Sequence, residues 1–132
     1  MTNLTFNHEL LEVFHEEAQD LIQEMTTDLS ILSGEQDKDS EERGREPIYR
    51  RLYRNAHTLK GSSEVVGYFR LREISEILQS IFLNASEGKA EFSTSELKLL
   101  ITGVNKCQKL IGREEVVGYE ELLKQLNRIL KL

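Results

Sequence analysis

His57 is the residue in this chain whose type and neighbours best fit covalent chemistry. It stands in Arg54-Asn55-Ala56-His57-Thr58-Leu59-Lys60-Gly61-Ser62-Ser63. Apolar residues at Ile48, Leu52, Ala56 and Leu59 recur there every three or four positions, the spacing of a helix. At about 100° per residue, the imidazole falls roughly opposite the centre of that apolar stripe. Lys60 follows one turn on, and Gly61, at i+4, shares the outer face. An exposed imidazole with a cation one turn away and a neighbour without a side chain reads as a nucleophile that a large partner must approach. Taken alone, His57 is a solvated surface histidine; its surroundings reverse that reading.

Glu76 and Gln79 supply the next part of the argument. They lie one turn apart on one face of a later helical segment, and a hairpin turning near Gly67 brings that segment back beside His57. A carboxylate or amide oxygen accepting the proton of one ring nitrogen fixes the tautomer. The other nitrogen is then free to attack phosphorus. Lys60 would offset charge on the phosphoryl oxygens. Phosphoryl transfer asks for positioning and charge stabilisation more than for covalent help, so a sparse site on a rigid helix suffices. Gly61 also asks for a reason, because a mid-helix glycine costs about 1 kcal/mol relative to alanine. Close approach of a partner is one reason; a tight helix crossing is the rival one.

These residues must be held by helices. The first helical segment runs from about Asn7, a plausible N-cap, to Ser33, with apolar residues at Leu11, Phe14, Ala18, Leu21, Met25, Leu29 and Leu32. Gly34 is a natural stop. Residues 35–46 contain no strong apolar side chain and read as a polar loop joining two helices. Pro47 opens the helix that carries His57, which fades near Val65 to Gly67. A third helix starts near Arg70 and ends at Gly88, on a stripe of Leu71, Ile74, Leu78, Ile81 and Ala85. Ser93 and Glu96 form a capping-box pair for a fourth, which uses Leu97, Leu100, Ile101, Val104 and Ile111 and ends at Gly112. A fifth covers roughly Tyr119 to Leu130, with Leu122, Leu126 and Ile129 in register. No segment alternates with the period of a strand. Short connections favour antiparallel neighbours, so the expected fold is all-α: an antiparallel up-down four-helix bundle with an additional fifth C-terminal helix.

The chain's 132 residues fit one domain, 1–132, with its own core. A net charge of −6 argues against a nucleic-acid surface, and the basic cluster of Arg50, Arg51 and Arg54 has only Tyr49 and Tyr53 near it for stacking. The single cysteine, Cys107, leaves no intrachain disulfide and reads as a partly buried inert thiol. No apolar run reaches membrane-spanning length, and Met1-Thr2-Asn3-Leu4 lacks the pattern of a secretory signal, so a cytoplasmic address and no membrane insertion are expected.

The stretch His57-Thr58-Leu59-Lys60-Gly61-Ser62-Ser63, with Gly67 ten residues after the histidine, resembles the signature of histidine-containing phosphotransfer (HPt) domains. Phe14-His15-Glu16-Glu17-Ala18-Gln19-Asp20-Leu21-Ile22-Gln23-Glu24-Met25 is similar to the opening helix of the P1 domain of CheA-type chemotaxis kinases. The resemblance implies a phosphorylated His57, with Lys60 assisting the phosphoryl group and Gly61 leaving room for a receiver domain. Gln79 matches the position where many phosphotransfer domains hold a histidine-orienting glutamine; Gln79, with Glu76, is expected to orient the ring, and Tyr53, Gly61 and Glu64 are expected to shape the docking face. In CheA-type domains the positions of Glu76 and Gln79 are usually histidine and glutamate, so the chain stands closer to relay-type domains there. Glu64 occupies a position where a small residue is common.

The partners implied are a histidine kinase catalytic domain and a response-regulator receiver domain. ATP and Mg²⁺ belong to those partners, and no cofactor or metal is expected in this domain. The chain carries no phosphate-cradling glycine loop and no Gly-x-Ser-x-Gly elbow, so it is expected to be a phosphoryl carrier rather than an enzyme. It would form the N-terminal part of a larger multidomain kinase of the CheA type. The alternatives are a helical scaffold that presents the same face without phosphorylation, and a weak metal site built from His8 and His15 with Glu12.

Overall fold

The computed structural model describes residues 2–35 and 44–131. Five helices account for most of them: α1 Thr2–Ser30, α2 Glu46–Val66, α3 Phe69–Ser86, α4 Thr94–Ile111 and α5 Tyr119–Lys131. The described residues contain no strand. The polar loop expected over 35–46 lies mostly outside the described residues. No helix among those described is long and apolar enough to cross a membrane.

The helix ends follow local chemistry. α1 begins at Thr2, so Asn7 lies inside it rather than capping it; no proline or glycine interrupts the chain before that point. The chain kinks after α1 within Ile31–Glu35, where Gly34 takes a left-handed conformation with φ 84°, the stop its sequence suggested. Pro47 sits in the first turn of α2, where a missing N–H is harmless. α2 stops at Gly67 (φ 78°), whose N–H bonds to Glu64 O while the N–H of Tyr68 reaches back to Ser63 O. This paired closure satisfies carbonyls that the helix leaves open and turns the chain within two residues. α4 starts with the expected capping box, since Ser93 Oγ accepts from Glu96 N–H and Glu96 Oε1 accepts from Ser93 N–H. It ends at Ile111 with Gly112 as its capping residue, as expected. Gly112 has an ordinary φ of −77°, and Arg113 takes the left-handed position at φ 57°. Stacking of the Arg113 guanidinium over the Tyr68 ring, 5.0 Å from its centroid, opposes the strain of that backbone.

The apolar stripes meet in one core. Fully buried side chains include Met25 and Leu29 from α1, Leu52 and Leu59 from α2, Leu71, Ile74, Leu78, Ile81 and Phe82 from α3, Leu100 and Ile111 from α4, and Leu126 from α5. α2 packs most extensively on α3; α1 packs on α2 and α4; α5 lies on α3 and α4. α5 approaches closely because Gly103 on α4 leaves room for Leu126, whose Cδ1 would lie 3.4 Å from a β-carbon there. Cys107 is completely buried, deeper than expected, and burial pushes its thiol up to about 12.

One ion pair ties α1 to α2. Arg51 grips Asp28 with both arms of its fork, Nη2 to Oδ1 at 2.9 Å and Nε to Oδ2 at 3.2 Å. The Asp28 hydrogen bond raises the Arg51 guanidinium further above its already high value. At the other end, the Tyr119 hydroxyl lies 2.8 Å from both Arg70 O and Glu73 Oε1, acceptors that share its one proton, which ties α5 to the start of α3.

Candidate functional site

α2 buries Ile48, Leu52, Ala56, Leu59 and Ser63 against the core, and this fixes what its other face presents. His57 is exposed, as the stripe requires. One helical turn before it, the Tyr53 ring lies stacked against the imidazole, with centroids 6.0 Å apart and planes 26° off parallel. Tyr53 therefore supports the histidine ring directly, a contact made possible by i, i+4 spacing.

Gln79 meets His57 from α3. Its Oε1 lies 3.1 Å from Nδ1. An amide oxygen accepts and never donates, so this bond requires the proton on Nδ1. In the neutral ring, Nε2 then carries the free lone pair. Tyr53 on one side and Gln79 on the other fix both the plane and the tautomer of an otherwise solvent-facing group.

Three cross-helix contacts show how α3 is registered on α2. His57 pairs with Gln79, Lys60 with Glu76 at 3.9 Å, and Glu64 with Arg72 at 3.0 Å. Each step forward along α2 is matched by an equal step backward along α3, the signature of an antiparallel pair folded at Gly67. The two side chains expected to orient the ring therefore divide. Gln79 makes the contact; Glu76 makes no hydrogen bond to His57 and is engaged instead by Lys60 and by Arg72, whose Nη1 lies 3.4 Å away. The reason is register: on antiparallel helices, the residue one turn before Gln79 faces the residue one turn after His57. Glu64, placed by its sequence on a docking face, is exposed and bound to Arg72.

Gly61 has nothing within 4 Å of the position a β-carbon would take. A tight helix crossing therefore does not explain this glycine. Sequence reading passed over Arg72 as well as two exposed apolar residues. Val65 is 71% exposed and follows His57 and Gly61 at successive i+4 steps, while Phe69, 73% exposed, opens α3 just beyond the turn. The i+4 series was legible in the sequence; Arg72 becomes visible only through the register.

The histidines of α1 go to separate partners. His8 Nε2 lies 3.0 Å from Glu12 at the surface, and His15 Nε2 lies 3.1 Å from the hydroxyl of Tyr68 at the α2–α3 turn. No cluster of three potential metal ligands occurs among the described residues.

A helical hairpin that presents one oriented imidazole beside a lysine and an uncovered glycine is the arrangement of a phosphotransfer module, and the chain belongs to the Hpt domain family, whose model matches residues 9–129. Within that family it is an HPt domain like the P1 domain of CheA proteins. It is 30% identical over 106 residues to the chemotaxis protein CheA of Borreliella burgdorferi. That match covers 80% of this chain but 12% of the CheA protein, so the chain spans a small part of the curated relative's length. The fold is also that of the phosphorylated P1 domain of CheA3 from R. sphaeroides, solved in complex with CheY6. The TM-score is 0.74 at 17% identity, covering 93% of this chain and 96% of that one.

Proposed function

We propose that His57 accepts a phosphoryl group on Nε2 from a histidine kinase catalytic domain and passes it to an aspartate of a response-regulator receiver domain. The observation that carries this reading is the contact between Nδ1 of the exposed His57 and Gln79 Oε1, which in the neutral ring puts the lone pair on Nε2. The Nε2 lone pair forms the P–N bond as the bond from phosphorus to the donor's leaving group breaks. Nδ1 keeps its proton throughout, held by Gln79. Lys60 stands one turn away to balance charge on the phosphoryl oxygens. Tyr53 supports the ring. Gly61, Val65, Phe69 and Glu64 form the surface that a receiver domain meets.

Membership of the Hpt family supports a carrier rather than a catalyst. ATP and Mg²⁺ serve the kinase and receiver partners, and this domain is proposed to need no cofactor of its own. The complex named for the R. sphaeroides P1 domain supports a receiver partner here. The match to 12% of a CheA protein supports reading residues 1–132 as one domain of a longer kinase; a place at its N-terminal end and a cytoplasmic address are part of the same proposal. The packing supports an antiparallel up-down four-helix bundle. α1 on α2, α2 on α3, α3 on α4 and α4 on α1 close a ring, and α5 is added on α3 and α4.

Phosphoramidate, a small donor, tests the reading without a kinase. Intact mass and alkaline peptide mapping are expected to show one acid-labile phosphate on His57, none in His57→Gln, and slower labelling in Gln79→Ala. His8 and His15 act as internal controls for ordinary imidazole reactivity. Equal labelling of all three histidines would overturn the carrier reading in favour of a helical scaffold.

A further inference from the structure

A row of four alternating charges runs from the His57 site toward the α2–α3 turn: Lys60, Glu76, Arg72, Glu64. Its contacts tighten along the row, from 3.9 Å between Lys60 Nζ and Glu76 Oε1, to 3.4 Å between Arg72 Nη1 and Glu76 Oε2, to 3.0 Å between Arg72 Nε and Glu64 Oε1. Glu76 is thus shared between two cations and lies nearer to Arg72. It also sits one turn from Gln79, the residue bonded to the His57 ring.

An unshared carboxylate at that point would oppose phosphorylation in two ways. It would draw the Lys60 ammonium into a full ion pair, away from the phosphoryl oxygens. It would also add a negative charge beside an incoming dianion, and like charges at such range disfavour each other even near a surface. Arg72 counters both effects. Its fork reaches Glu76 from the preceding turn of α3, and Glu64 holds the same guanidinium across the hairpin through Nε.

We propose that Arg72 is a positioning residue for the phosphorylation of His57: by occupying Glu76 it leaves Lys60 free to serve the phosphoryl group. Glu64, through its bond to Arg72, sets the direction of that fork. The proposal rests on His57 being the phosphoryl acceptor. All four side chains are partly exposed, so the effect is modest and weakens with salt.

The test measures phosphoramidate labelling rates of His57 in the whole chain at low and high salt, with a thermal melt of every variant. Arg72→Ala is expected to slow labelling about two- to fivefold at low salt and less at high salt. Glu76→Gln, alone or combined with Arg72→Ala, is expected to label at least as fast as the wild type. In a Lys60→Ala background, Arg72→Ala should cost less than in the wild type, because only the charge repulsion by Glu76 is left for the arginine to counter. An unchanged rate in Arg72→Ala overturns the proposal. So does a slow Arg72→Ala that Glu76→Gln fails to rescue, which would make the arginine a structural tie. A wild type that does not label at His57 takes down the acceptor reading and this inference together, whereas failure of the arginine variants alone leaves the acceptor reading standing.

Discussion

A histidine side chain has two nitrogens, and a carrier needs one of them disabled as a nucleophile and the other presented. In the proposed carrier, Gln79 would do the first by accepting a hydrogen bond from Nδ1–H, and the outward face of α2 would do the second. Gly61 belongs to the same scale. With open space where its β-carbon would be, Gly61→Ala meets no steric obstacle within the chain and removes the entropic penalty of a helical glycine. It is expected to stabilise the fold by about 1 kcal/mol, raising Tm by a few degrees. Labelling by phosphoramidate should be unaffected, while transfer from phosphorylated His57 to a receiver domain should slow several-fold, because the added methyl stands where a partner's surface closes. A variant that is more stable and transfers at the wild-type rate would show that the glycine has no docking role.

The elements owe their placement to a few contacts between helices, and the Arg51–Asp28 pair is the one most exposed to test. Asp28 is only 5% exposed, and the two hydrogen bonds from Arg51 satisfy both of its oxygens. Arg51→Met strands that carboxylate. The expected loss is about 2–3 kcal/mol in urea unfolding, at the low end for a buried pair because the arginine side chain keeps 43% of its surface in water. Adding Asp28→Leu to Arg51→Met should recover most of the loss, since no charge is then left buried. Equal destabilisation of the single and double variants would place the cost in packing rather than in the stranded charge. The same scale explains why α2 and α3 form the functional hairpin. The left-handed Gly67 turns the chain sharply, so the pairing of His57 with Gln79 is set by the residues between the turn and each partner.

For the molecule as a whole, two buried acids set a limit at high pH. Burial pushes the Cys107 thiol up to about 12, and burial together with the Glu73 carboxylate raises the Tyr119 hydroxyl. Both groups hold their protons more tightly when folded than when unfolded. The Cys107 contribution to stability is therefore complete below about pH 9, the ordinary thiol value, and is lost as pH rises from there toward about 12, while that of Tyr119 is complete below about pH 10 and declines above it. Tm is expected to fall across that range, less steeply in Cys107→Ala. At pH 8 the native chain should leave a thiol reagent unreacted until it unfolds, since Cys107 is fully buried. A flat Tm from pH 7 to pH 11, or prompt thiol labelling of the native chain, would contradict this account.

What the sequence determined by itself is what periodicity and local chemistry can carry. The stripe through Ile48, Leu52, Ala56 and Leu59 put His57 on the outer face, and the capping box at Ser93 and the turn at Gly67 bounded the helices. The motif around His57 and the opening helix pointed to the phosphotransfer family, which the match over residues 9–129 bears out. Signals of this kind depend on residues within a few positions of one another, where backbone geometry is nearly fixed. Tertiary structure decided the rest. Sequence placed Glu76 and Gln79 together at the ring, whereas the register of α3 on α2 gave the ring to Gln79 and paired Glu76 with Lys60 and Arg72. Gly112 ends α4 as the sequence indicated, but the left-handed residue beyond it is Arg113, held there in part by the Tyr68 ring from a distant turn. Side chains one turn apart on a single helix are equivalent in periodicity, and only the facing helix, set by packing across the core, determines which of them meets the histidine.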